Sequence, residues 1–109
     1  MNQDPYRVAA IQFEPASGDK AANIAALVNL TEAADGVRLI VLPEMATTGY
    51  CWESRAEIAP FVEPVPGPTT ERFAAIAARY ACYLVVGLPE MAVTTPPPAE
   101  RITVGIARR

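Results

Sequence analysis

The sequence predicts an α/β fold, with elements in the order β-α-β-loop-α-β followed by a proline-rich tail. Two observations carry that prediction. Leu39-Ile40-Val41-Leu42 and Tyr83-Leu84-Val85-Val86 are continuous apolar runs of strand length, the form of strands covered on both faces of a parallel sheet. Each run follows a segment whose apolar residues recur at three- and four-residue spacing, the signature of a crossover helix.

Taken in order, Arg7–Phe13 (RVAAIQF) is β-branched and apolar and stops before Pro15, which suits a first buried strand. Ser17-Gly18-Asp19 supplies a turn and a helix cap. From Lys20 to Ala34, Ile24, Leu27, Val28 and Leu30 fall mostly on one side of a helix rich in alanine. Gly36 stands where a left-handed cap belongs. Pro60, Pro64, Pro66 and Pro68 punctuate the long connection after the second strand, and Gly67-Pro68 opens the next helix with proline in its first turn. Phe73, Ile76, Ala77 and Tyr80 give that helix an apolar face about three turns long. Tyr83–Val86 is then a strand closed by Gly87. Pro96-Pro97-Pro98 reads as a stiff spacer, and Ile102, Val104 and Ile106 alternate as in one more short strand. The chain accordingly divides into residues 1–95, one domain segment, and 96–109, a proline-rich tail.

Composition removes several function classes. The 109 residues carry a net charge of −3 and scattered basic side chains, so no phosphate-tracking face is present and nucleic acid is not an expected partner. No apolar run approaches the roughly 20 residues needed to span a bilayer. The N-terminus MNQDPYRV lacks the order of an export signal, so Cys51 and Cys82 read as reduced thiols of a cytoplasmic protein. Histidine is absent, which removes imidazole triads and most zinc sites. Neither a metal nor a cofactor is expected, and no GxGxxG or GxxxxGK[ST] phosphate loop occurs.

Leu-Pro-Glu-Met occurs twice, at 42–45 and 88–91, each time after an apolar run. Both copies are expected at the carboxyl end of a strand, where open α/β sheets place reactive groups. The preceding helices share little, and the second copy has an extra Gly87, so local convergence explains the repeat better than duplication. Glu44 is the stronger candidate for chemistry. Pro43 restricts the backbone before it, and Ala46-Thr47-Thr48-Gly49-Tyr50 offers hydroxyls, a flexible glycine and an aromatic wall. In a crevice Glu44 would be partly buried with a raised pKa, as a general base requires. The competing reading is a surface glutamate at a strand end.

VAAIQF, IVLPEMATTGY, PGPTTERFAAIAARY and YLVVGLPE, in that order over residues 7 to 91, resemble the N-terminal part of the nitrilase superfamily of carbon–nitrogen hydrolases. The resemblance implies a four-layer αββα sandwich and hydrolysis of a small amide or nitrile by a glutamate base, a lysine and a cysteine nucleophile. It assigns the base to Glu44 and no catalytic role to Glu90. The single lysine, Lys20, precedes Glu44 and matches no catalytic position, so a solvated helix residue is expected. Cys51 does not match the nucleophile and, with Tyr50, is expected to line the substrate pocket. Cys82 is expected to be structural. The lysine and nucleophile positions of the family fall beyond this sequence, which implies an N-terminal fragment or a truncated gene product, inactive alone. A sheet left unfinished exposes an apolar face and favours a homo-oligomer. The alternatives are a non-catalytic remnant or interaction module that pairs with other subunits, and a small-molecule-binding α/β domain.

Overall fold

The computed structural model describes residues 5–91 and 100–107. Strand β1 (Val8–Ala10) leads to helix α1 (Lys20–Ala33), β2 (Leu39–Val41), the short helix α2 (Arg55–Ile58) with a 3₁₀ turn at Ala59–Phe61, α3 (Pro68–Tyr80), β3 (Tyr83–Met91) and β4 (Glu100–Ala107). The four strands form one sheet in the order β1-β2-β3-β4. β1, β2 and β3 are parallel neighbours, with Val8 opposite Leu39 and Leu39 opposite Tyr83, whereas β4 runs antiparallel to β3. The Pro96-Pro97-Pro98 spacer lies outside the described residues.

Right-handed crossovers between sequential parallel neighbours put α1 and α3 on the same face of the sheet, and the two helices touch. Asp19 caps α1, its carboxylate accepting from the Ala22 N–H at 3.2 Å. Between helices and sheet lies the core of Leu27, Ile40, Phe73, Ala77, Leu84 and Val86, each 2% exposed or less. Fully burying a side chain such as Phe73 contributes about 1.5–3 kcal/mol.

The expected apolar stripe of α1 is rotated. Its buried residues are Asn23, Leu27 and Thr31, one above another at i, i+4 and i+8, while Leu30 is 40% exposed. Alternation along the strands is equally clear. Ile40 and Leu84 point into the core, but Val8, Val41 and Tyr83 on the other face are 60%, 39% and 40% exposed. The apolar runs are therefore covered on one face among the described residues, not on both as their composition suggests.

Gly87 does not close β3. The strand continues through Leu88-Pro89-Glu90-Met91, so the second Leu-Pro-Glu-Met copy lies inside a strand, whereas the first leaves β2 and enters a turn at Glu44. The partners of β3 account for the difference. β4 pairs with it as far as Met91, and on its other side Glu63 bridges Glu90, with the Met91 N–H donating to the Glu63 carbonyl at 2.9 Å. β2 ends at Val41 and leaves the first copy free to turn. Local sequence alone cannot separate the two states, because tertiary pairing decides between them.

Candidate functional site

Glu44 sits at the carboxyl edge of the sheet, at the head of the turn spanning 44–48 that leaves β2. The backbone of this turn is fastened to β3. The Leu42 N–H donates to the Val85 carbonyl at 2.8 Å, Gly87 N–H to Pro43 at 3.3 Å, and Ala46 N–H to Gly87 at 3.0 Å. That contact requires glycine: a Cβ at residue 87 would stand 2.6 Å from Glu44 Cα and 3.1 Å from Met45 N. The extra glycine that distinguishes the second tetrapeptide copy is thus the surface on which the first copy rests. Met45 takes a positive φ of 53°, and its carbonyl accepts from Thr48 and Gly49 at 3.3 and 2.9 Å. Gly49, at φ 83°, is held in this turn by that bond, in a left-handed conformation open to glycine without steric cost.

Met45, Ala46, Thr47 and Thr48 are all buried, and Glu44 is the residue of the turn whose side chain faces outward. The expectation of a partly buried Glu44 is corrected accordingly: its side chain is exposed, because the turn directs its four following residues inward. The two threonine hydroxyls also point away from any crevice. Thr47 Oγ1 is buried without a hydrogen-bond partner among the described residues, and Thr48 Oγ1 donates to the Gly49 carbonyl at 3.3 Å.

Tyr50 and Cys51 come together, lining a cleft of about 290 Å³ with Phe13, Glu14, Ser17 and Gly49 between the exits of β1 and β2. Glu44 is not among the residues of that cleft, although it shares the same edge of the sheet. Cys51 is exposed and Cys82 is buried in the core, where desolvation pushes its thiol pKa up. Glu90 is buried, 8% exposed, at the end of β3.

Sequence reasoning missed two supports of this edge. The first is Asn23, 2% exposed on α1. Its carboxamide accepts from the Ala16 N–H at 2.9 Å and donates to the carbonyls of Ala16 at 2.7 Å and Thr47 at 3.0 Å. A polar residue four before Leu27 was the available signal. The second is Lys20, which is not a solvated helix residue. Its ammonium pairs with the buried Glu63 carboxylate and donates to the Phe61 carbonyl at 3.0 Å. Glu63 in turn accepts from the Thr69 N–H at 2.7 Å and its hydroxyl at 2.8 Å, capping α3 where Gly67 has no side chain to do so. Burial raises the Glu63 pKa, but the Lys20 ion pair and the Thr69 hydrogen bonds outweigh it and hold the group below its ordinary 4.5. From Phe61 the contacts return to the turn: its ring packs on Trp52 at 5.3 Å, and the Trp52 indole N–H donates to the Gly49 carbonyl at 2.7 Å. Ser54, accepting from the Glu57 N–H at 3.2 Å, caps α2 within this connection.

No group of three or more His, Cys, Asp or Glu side chains able to hold a metal occurs among the described residues, and no helix among them is long and apolar enough to cross a membrane.

Comparison with known proteins agrees with this architecture. The chain is similar to a protein N-terminal amidase of Schizosaccharomyces pombe, 36% identical over 87 residues, covering 73% of this chain and 30% of that protein. A nitrilase of Pyrococcus abyssi is 32% identical over 87 residues, covering 77% of this chain and 33% of that protein. The chain thus spans about a third or less of the length of these curated relatives. Among solved structures, an N-terminal amidase superposes with a TM-score of 0.70 at 29% identity, covering 91% of this chain and 24% of that one. Nit3 of Saccharomyces cerevisiae, a nitrilase-superfamily member, shares the fold with a TM-score of 0.74 at 24% identity, over 93% of this chain and 39% of that one. The carbon–nitrogen hydrolase pattern matches residues 7–102, nearly the whole length, and the chain belongs to the carbon–nitrogen hydrolase family.

Proposed function

We propose that this chain is the N-terminal part of an enzyme that hydrolyses a non-peptide carbon–nitrogen bond, and that Glu44 is its general base. The carrying observation is the turn that holds Glu44, exposed, at the sheet edge with its backbone locked on Gly87. A carboxylate on so fixed a backbone, facing outward, is available to reacting groups supplied from outside the described residues.

A thiol outside these 109 residues would attack the amide or nitrile carbon. Glu44 would take the thiol proton and pass it to the nitrogen, which for an amide leaves as ammonia and yields a thioester. The same carboxylate would then deprotonate the water that hydrolyses the thioester, and the released thiolate would recover its proton. A lysine ammonium, also from outside this chain, would stabilise the oxyanion at each tetrahedral stage. Neither thiol present here suits the nucleophile. Cys82 is buried in the core, and Cys51 lines a cleft that does not include Glu44. The N-terminal amidases among the relatives favour an amide over a nitrile as the substrate.

The 109-residue chain alone is expected to release no ammonia from amides or nitriles. The complete polypeptide that carries it should do so and should lose about 10²–10⁴-fold in kcat on Glu44→Gln. Unchanged turnover in that variant refutes the assignment. A second reading, a non-catalytic module that pairs through its sheet, is favoured by the exposed Val8, Val41 and Tyr83. Co-purification of the chain with a full-length hydrolase, without effect on turnover, would support it instead.

A further inference from the structure

We propose that Asn23 is a positioning residue for Glu44, a role that rests on the reading of Glu44 as the base. The Glu44 turn is fastened on its β3 side by Gly87, but no hydrogen bond from that side, among the described residues, sets the far limb, Thr47 to Gly49, against the exit of β1. Asn23 does. From the first turns of α1 its carboxamide holds the Ala16 peptide by both its N–H and its carbonyl, and the remaining donation of the same amide nitrogen reaches the Thr47 carbonyl. A second link, the Gly18 N–H on the Thr48 carbonyl at 3.2 Å, lies beside it.

Asparagine alone among side chains of this size offers one acceptor and two donors from a neutral group. Aspartate keeps the acceptor toward Ala16 N–H but faces two carbonyl oxygens without a proton to give. Alanine leaves the Ala16 and Thr47 groups unpaired in a site where Asn23 itself is 2% exposed. The helix that buries this residue is therefore the fixed frame against which the base-bearing turn is set. Glu44 lies three residues from Thr47, so a shift of the far limb moves the carboxylate directly. A misplacement of about 1 Å at a reacting group costs on the order of 10²-fold in rate.

The test compares Asn23→Asp with wild type in the complete polypeptide by two measurements. Amide hydrogen exchange should show at least tenfold faster exchange at Ala46, Thr48 and Gly49, with Leu84 and Val86 in the strand core unchanged. Ammonia release from a short aliphatic amide, a nitrile and an N-terminal glutaminyl peptide should show a 10–100-fold lower kcat, with KM within twofold for whichever substrate is turned over. A general loss of structure would instead raise exchange at Leu84 and Val86 as well. Should the aspartate variant fail to fold, Asn23→Ser, which retains a single donor, is measured in the same way. Wild-type exchange at the turn, or wild-type kcat, overturns the proposal. If the wild-type protein turns over none of the three substrates, the proposed reaction fails on its own, and exchange at the turn still decides whether Asn23 holds it.

Discussion

Gly87→Ala is the substitution that most sharply probes how Glu44 is held. The three atoms nearest its Cβ would all be backbone: Glu44 Cα at 2.6 Å, Met45 N at 3.1 Å and the Pro43 carbonyl at 3.2 Å. No side chain can swing aside, so the turn must lift from β3. Overpacking of this kind costs about 1–3 kcal/mol. The lifted turn strains two hydrogen bonds, Gly87 N–H to Pro43 and Ala46 N–H to Gly87, each worth about 1 kcal/mol. Alanine returns about 0.5–1 kcal/mol through its lower strand entropy cost. The net expectation is a local destabilisation of about 2–4 kcal/mol. Native-state hydrogen exchange in the complete polypeptide reads it at Ala46, whose opening free energy should fall by that amount. Loss of turnover should accompany it. Ala46 protection within 0.5 kcal/mol of wild type, a margin well inside the ~1 kcal/mol of one hydrogen bond, would refute the close approach on which the site is built.

The Lys20–Glu63 pair makes stability acid-sensitive. Because the folded pKa of Glu63 lies below its ordinary 4.5, its contribution is present above that value and is lost as pH falls through the lowered one. Glu63→Gln should lower the melting temperature near neutral pH and flatten its decline below pH 4.5, and an unchanged slope would discount the pair. If copies of the chain pair through the sheet face that carries Val41 and Tyr83, Val41→Lys with Tyr83→Lys should weaken that association at least tenfold in sedimentation velocity, since each apolar contact removed is worth about 1 kcal/mol or more, and a monomeric wild-type chain would refute the pairing. Iodoacetamide at pH 8 should label exposed Cys51 and leave buried Cys82, whose thiol is also pushed toward its protonated form, unmodified in the folded protein.

Elements with a strong local signature were legible in the sequence. Helix α3 begins at Pro68 and ends at Tyr80 as its period indicates, and the apolar runs at 39 and 83 are strands. What failed depended on partners far away in the chain. Leu30 and Asn23 have opposite hydrophobicity from the positions they occupy, because the buried stripe of α1 must also reach the Ala16 and Thr47 peptides. Lys20 finds Glu63 at a separation of 43 in sequence number, a pairing no periodicity announces. The two Leu-Pro-Glu-Met copies differ in structure only because β3 has β4 and Glu63 beside it where β2 has already ended. The position of Glu44 at the sheet edge followed from strand order, and its exposure agrees with the competing reading of a surface glutamate; the inward turn of the next four residues, set by Met45 and Gly87, had no local signature.

The two tetrapeptide glutamates distinguish which carboxylate is the base. Steady-state ammonia release by the complete polypeptide, normalised to folded protein, should be compared for Glu44→Gln and Glu90→Gln. The first should lose about 10²–10⁴-fold in kcat and the second should stay within a few fold, its effect confined to stability. A Glu44 variant with near wild-type turnover, or a Glu90 variant silenced in its place, would show that Glu44 is not the base.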